Sequence, residues 1–263
     1  MTTRTTRRLR VLYSAPATRC IRQLRVFPPP HRGPQRVLDL QWHCAPPPDQ
    51  TREYEDEFGN RVLELRHHRI EREFCFDMTL ETARDGSEIA AELNLPPTGR
   101  GAFLLPSMLC ERNETIERQA ESLARQNRIA PAQICEFVYG ALTYCENVTD
   151  TKTSGTKALG QGGGVCQDYA HLMIALCRTL GIPARYVSGY NPAEGRMHAW
   201  VETLENELWQ AWDPTHNRRT RDNCVFVACG RDFRDVAPHT GKYSGAARAK
   251  LETFCKTEVV DSR

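Results

Sequence analysis

The sequence predicts an α+β protein in two parts, an all-β sandwich over residues 1–105 and a unit of helices followed by antiparallel sheet over 106–263. Three observations predict it. From residue 9 to about 82, apolar positions recur at every second residue between turn-forming clusters. Past the break Leu95-Pro96-Pro97-Thr98-Gly99-Arg100-Gly101 the period lengthens to that of helices. After Gly181 strand-like runs return, so in the second part helices precede a sheet.

In the first part the runs are Leu24 and Val26, Val37 to Trp42, Val62 to Leu65, and Phe74, Phe76, Met78 and Leu80. Pro28-Pro29-Pro30, Pro46-Pro47-Pro48, Phe58-Gly59-Asn60 and Asp85-Gly86 supply the turns between them. Nothing in this part pairs a nucleophile with a base, so it is expected to scaffold or restrict access. In the second part Ile116, Ala120, Leu123 and Ala124 follow 3.6 spacing, and Pro131 opens a helix carrying Ile134, Phe137, Val138, Ala141 and Leu142. Residues 147–164 are polar and glycine-rich, which reads as a loop. A further helix runs from Cys166 through Leu172, Ile174, Ala175, Leu176 and Leu180, and stops at Gly181 before Pro183. Strands are expected at Ala184 to Gly189, Met197 to Leu204, Leu208 to Trp212 and Cys224 to Cys229, with a closing strand at Ala249 to Glu258.

Bulk properties narrow the function. With 40% hydrophobic and 26% charged residues the composition is that of a globular protein, and no apolar run approaches the roughly 18 residues of a membrane span. A net charge of +2 gives no reason to expect a nucleic-acid partner. Nine arginines precede the first acidic residue, Asp39. Such a start resembles a mitochondrial transit peptide, but the early prolines and strand-like alternation favour the basic face of an exposed strand. No apolar core near Met1 marks a secretory signal, and the eleven cysteines are scattered without a C-x-x-C pair, so reduced thiols and a cytoplasmic location are expected. Cys224 and Cys229, flanked by His216 and His239, come nearest to a metal motif. Their odd separation in a strand puts them on opposite faces, so no metal and no cofactor is expected. Oligomeric state is left open.

The chemistry centres on Gly162-Gly163-Gly164-Val165-Cys166-Gln167-Asp168-Tyr169-Ala170-His171. It places a thiol at a helix start, where the dipole and free N–H groups favour a thiolate. The triple glycine lacks the Lys-Ser/Thr of a phosphate loop and the Rossmann spacing. A thiol nucleophile needs a base, and the base an orienting group. His171 lies about 140° round the helix from Cys166, and Asp168 about 200°, so both are expected to be structural. His198 is the better base. A hairpin turning about Glu205-Asn206 sets His198 opposite Asp213, Trp200 opposite Ala211 and Glu202 opposite Trp209, with cross-strand Cβ atoms roughly 4.5–5.5 Å apart. Tyr190, Trp200 and Trp212 are candidates to wall a substrate groove.

These motifs resemble a known family. Gly-Gly-Val-Cys-Gln-Asp-Tyr-Ala-His-Leu at 163–172, Leu-Gly-Ile-Pro-Ala-Arg-Tyr-Val-Ser-Gly-Tyr at 180–190, His-Ala-Trp-Val-Glu at 198–202 and Trp-Asp-Pro-Thr-His at 212–216 resemble the bacterial transglutaminase-like superfamily. The likeness continues through Gly-Arg-Asp at 230–232 and Asp-Val-Ala-Pro at 235–238. The first half, with Tyr54-Glu55-Asp56 and Phe58-Gly59-Asn60, is similar to that family's N-terminal β-sandwich region. The resemblance implies a papain-like core whose Cys, His, Asp triad falls on Cys166, His198 and Asp213. Reaction class does not follow from the triad; a cysteine peptidase or amidase that hydrolyses a peptide or protein substrate is the first expectation, because water needs no second substrate site, with an amine-transferring transglutaminase and a catalytically idle binding module as the alternatives. Gln161 is the side chain it suggests for an oxyanion hole beside the Cys166 N–H. Nothing here looks like a calcium site, and the cysteine-rich first half and Arg-rich start depart from the family pattern.

Overall fold

The computed structural model describes residues 1–84, 99–220 and 223–260, so the Asp85-Gly86 turn and Leu95–Thr98 lie outside the described residues. Seven strands come first: β1 (Thr2–Tyr13), β2 (Ala17–Leu24), β3 (His31–Arg32), β4 (Gln35–Ala45), β5 (Gln50–Glu55), β6 (Arg61–Ile70) and β7 (Glu73–Arg84). The middle of the chain holds α1 (Glu114–Arg125), α2 (Pro131–Ala141), β8 (Thr143–Tyr144), α3 (Gly155–Gln161), β9 (Gly163–Gly164) and α4 (Cys166–Thr179). Then follow β10 (Ala184–Asn191), β11 (Arg196–Glu205), β12 (Leu208–Asp213), β13 (Arg218–Arg219), β14 (Val225–Gly230), α5 (Phe233–Val236), β15 (His239–Ser244) and β16 (Ala249–Val260).

Two antiparallel sheets, ordered β16-β1-β7-β4-β3 and β15-β2-β6-β5, face each other as a sandwich. Alternation explains its core: Leu9, Val11, Leu63, Leu65, Phe74 and Phe76 point inward and are buried. The opposite face of β1 carries Arg4, Arg8 and Arg10, which meet Glu81, Asp77 and Glu73 of β7 at 2.6–2.7 Å. These three arginines of the basic start thus lie on a solvated strand face, as the alternation suggested, whereas Arg7 and Arg22 are buried.

The tail differs from expectation. Residues 239–260, placed by the sequence in the second part, pair with the first: β16 runs along β1 from Tyr13↔Ala249 to Thr2↔Val260, and β15 pairs with β2. Without β16, twelve-residue β1 would be a long unpaired edge. Local sequence reports that a strand forms, not which edge it joins.

The second unit packs α4 against a sheet ordered β13-β12-β11-β10-β14, the expected α+β arrangement. α4 ends in a Schellman motif, with Gly181 at φ 79° and the Ile182 N–H donating to the Cys177 carbonyl at 2.9 Å. The expected loop at 147–164 contains α3. Ser154 caps it by accepting from the Lys157 N–H, and Gly155 lies so close to α4 that a Cβ there would sit 2.7 Å from the Leu172 nitrogen. Seven residues with two glycines carry too short a period to read as a helix.

Polar side chains join sandwich and sheet. The Gln35 amide donates to the Phe226 carbonyl at 3.0 Å and accepts from its N–H at 2.8 Å; Asn60 does the same for Cys229, both at 2.8 Å. Two amides therefore satisfy the free edge of β14 where a further strand would otherwise add. Beside them Glu202 is buried between Arg32 of the sandwich, at 2.9 Å, and Arg185, at 2.6 Å.

Candidate active site

Cys166 is the first residue of α4, half-buried, with Val165 in the extended cap position. Asp168 fixes this start: its Oδ2 accepts from the Val165 N–H at 2.8 Å and from the Thr149 hydroxyl at 2.7 Å. The approach requires glycine at 164, since a Cβ there would lie 2.5 Å from that oxygen. Asp168 is structural, as its helical angle suggested, and its pKa is raised by burial. His171 is structural too. Its Nε2 accepts from the Phe233 N–H at 3.2 Å, and burial lowers its pKa to about 4.

His198 projects from β11 beneath the site, its side chain fully buried. The observed hairpin turns about Asn206-Glu207, both at positive φ, and pairs Val201↔Trp212 and Glu202↔Ala211. The register is thus two residues away from the expected one, so His198 and Asp213 are diagonal and not direct partners. Because the shift is even, both remain on one face. The His198 Nε2 still lies 3.1 Å from the Asp213 Oδ2.

Electrostatics at the pair is dominated by opposing effects. Burial disfavours an imidazolium at His198, but Asp213, and then the Cys166 sulfur, outweigh it and raise the pKa to about 10. At Asp213 burial favours the protonated acid, yet the two imidazoles of His198 and His216 hold its pKa below the ordinary value. Neither ring nitrogen of His198 has an aligned hydrogen-bond partner, so in the resting site proximity of charge carries the interaction.

Two further residues join the cluster: Glu194, which sequence reading did not single out, and His216, which it named only in a motif and beside Cys224 and Cys229 without a role in the site. His216 Nδ1 lies 2.8 Å from the same Asp213 oxygen, and Glu194, in the turn between β10 and β11, lies 3.4 Å from His198 Nδ1 and 3.7 Å from His216 Nε2. The spacing Asp213-x-x-His216 in a Pro-containing turn is the signal that could have found His216; the backbone there closes with the His216 N–H on the Asp213 carbonyl at 3.2 Å. Above them Tyr144 accepts from Arg196 at 3.0 Å and lies near enough to Cys166 for its charge to raise the phenol pKa, after burial.

Tyr190 is buried, its hydroxyl donating to the Val26 carbonyl at 2.8 Å across to the sandwich. Trp200 packs with Val187 and Phe226, and the Trp212 indole N–H donates to Thr203 and Glu205 at 3.0 Å. All three are buried, in the core or at the interface with the sandwich. Gln161 is exposed at the last turn of α3 and makes no hydrogen bond among the described residues.

Fold and constellation together define a papain-like α+β protein, with a helix-start cysteine facing a histidine and a carboxylate on antiparallel strands. Residues 115–214 match the transglutaminase-like superfamily and residues 4–82 the bacterial transglutaminase-like N-terminal region, and the chain belongs to the transglutaminase-like superfamily. An uncharacterized protein of Mycobacterium leprae is 34% identical over 161 residues, 57% of each chain. One of Mycobacterium bovis is 34% identical over 120 residues, 40% of this chain and 38% of that one, so the chain spans about half or less of these relatives. A solved structure from Cytophaga hutchinsonii, described under the name "Putative Cysteine Protease", is 23% identical with a TM-score of 0.73, over 100% of this chain and 93% of that one. That likeness is one of fold.

Proposed function

We propose that the protein is a thiol acyl-transfer enzyme that hydrolyses a peptide or amide bond through Cys166, His198 and Asp213. The observation that carries the reading is the buried His198 between Cys166 and an Asp213 carboxylate 3.1 Å away. In the first half-reaction the Cys166 sulfur attacks the carbonyl carbon and the C–N bond breaks. The His198 imidazolium gives its proton to the departing amine. In the second, neutral His198 takes a proton from water, whose oxygen displaces the thiol from the acyl group. Asp213 acts throughout by orienting the ring and stabilising its charge, not by receiving the proton. The first N–H groups of α4 have no intrahelical acceptor, and in this reading the Cys166 N–H receives the developing oxyanion.

Water is our preferred acceptor because it needs no second binding site; an amine meeting the same acyl-enzyme would give cross-linking. No described helix is long and apolar enough to cross a membrane. No disulfide links any of the eleven cysteines, all of which are among the described residues, and this suits the reducing cytoplasm that we propose as the location.

The test is mass spectrometry of acyl adducts on Cys166 in wild-type protein fed with cell extract and quenched rapidly in acid. Adducts confined to Cys166, and lost on longer incubation in water, are expected. Absence of any adduct with intact folding overturns the reading in favour of a binding module, and release that requires an added labelled amine overturns hydrolysis.

A further inference from the structure

The Glu194, His198 and His216 cluster has a second chemical reading that the acyl-transfer roles do not use. Ligand atoms of these three residues lie within 4.8 Å of one another. Two of the separations, 3.4 Å and 3.7 Å from Glu194 Oε1 to the two imidazoles, already approach the ~3.3 Å edge of a tetrahedron with zinc-to-ligand bonds of about 2.0–2.1 Å.

The rings are also set for metal. The nitrogens that face away from Glu194, His198 Nε2 and His216 Nδ1, converge on one oxygen of Asp213 at 3.1 Å and 2.8 Å. A carboxylate at these distances holds both rings with their other nitrogens toward Glu194, the outer-shell arrangement of histidine metal ligands, so that loss of the His198 Nδ1 proton leaves a lone pair facing the gap. His198 Nδ1 is fully buried without a hydrogen-bond partner and points at this gap. Glu194 is itself held, because the Asn191 amide donates to its Oε1 at 2.7 Å. The Cys166 sulfur stands beside the same ring.

We infer that Glu194, His198 and His216 bind a divalent transition metal of the zinc class beside Cys166, and that the bound metal switches the site off. Two imidazoles and a carboxylate suit Zn2+ better than the oxygen-preferring Mg2+ or Ca2+. Coordination forms one bond from each ligand to the cation and sends the His198 Nδ1 proton to solvent, with no change of oxidation state. It takes the base from the thiol, so occupancy and turnover exclude each other. The off-switch rests on Cys166 being the nucleophile; the metal site does not.

The experiment is competition of the full chain with a chromogenic chelator for Zn2+, with mass-spectrometric readout of Cys166 alkylation by iodoacetamide. One Zn2+ per chain is expected, with affinity lowered in Glu194→Gln and in His216→Gln by at least the roughly 10–100-fold that loss of an outer-shell partner costs. Zn2+ should protect Cys166 in wild type, and chelation should restore its reactivity. Binding that is unchanged in both variants, with Cys166 still alkylated, means that other thiols capture the metal and overturns the inference. Absence of stoichiometric binding at micromolar Zn2+ overturns it equally. Because protection is read in wild type, misfolding of a variant leaves the test decisive. Neither readout uses turnover, so a failure here is separable from failure of the acyl-adduct experiment.

Discussion

Replacing Asp213 by asparagine tests the electrostatic core of the site without changing its shape. The Asp213 Oδ2 lies 3.1 Å from His198 Nε2, and among the influences that raise the imidazole pKa to about 10 it comes first, against a burial effect that lowers it. Loss of an opposite charge at this distance lowers a pKa by about 1–3. His198 should then titrate between about 7 and 9, which corresponds to about 1–4 kcal/mol less stabilisation of the imidazolium. The direction for stability follows from the raised value. The proton's contribution is complete below the unfolded value near 6.5 and is lost as pH rises through about 10, so wild type should lose stability on that alkaline side and Asp213→Asn should lose less. Long-range 1H–15N spectra of histidine-labelled protein, with His198 assigned by His198→Gln, report the ring directly and need no substrate. A wild-type His198 that titrates near 6.5, or a titration that Asp213→Asn leaves unmoved, refutes the reasoning.

Two other perturbations probe the frame around the site. Glu202→Ala leaves the Arg32 and Arg185 guanidiniums buried without their shared carboxylate, 2.9 Å and 2.6 Å away, and should cost about 3–5 kcal/mol by urea denaturation. His171, fully buried with its pKa lowered to about 4, binds its proton far more readily unfolded than folded, so stability should fall as pH drops from about 6.5 toward 4. Between pH 7 and 5 the urea midpoint should fall by the equivalent of about 2 kcal/mol from this histidine alone, and His171→Gln should flatten that slope.

Much of the site was legible because it rests on local rules. Three glycines before Cys166 and the Gly181-x-Pro183 stop bound a helix whose first residue had to be the thiol, and that placement stands. His198 and Asp213 were found from hairpin parity, which survives an even shift in register; a turn at Asn206-Glu207 instead of Glu205-Asn206 moved every pair yet kept both side chains on one face. What could not be read is long-range. Glu194 sits in Asn191-Pro192-Ala193-Glu194-Gly195, a stretch that reads as an ordinary turn, and only the fold brings it against His216. Tyr190, Trp200 and Trp212 look alike in sequence whether they line a groove or a core, and their burial follows only from what packs on each face of the sheet.

That packing gives the sandwich a physical role at a distance from the chemistry. The Tyr190 hydroxyl is anchored to Val26, the buried Arg7 of β1 reaches Met197 beside the base, and the Thr257 N–H of β16 donates to the Gly195 carbonyl at 3.2 Å. Each contact falls on the strand pair or turn that carries Glu194 and His198. The β10–β11 turn is thus braced from outside the catalytic unit by both ends of the chain, and the His198 ring it carries has no aligned hydrogen bond of its own to hold it. Position of the His198 ring therefore depends on the seam between sandwich and sheet, and the tail strand's return to β1 is part of what holds the turn beside it.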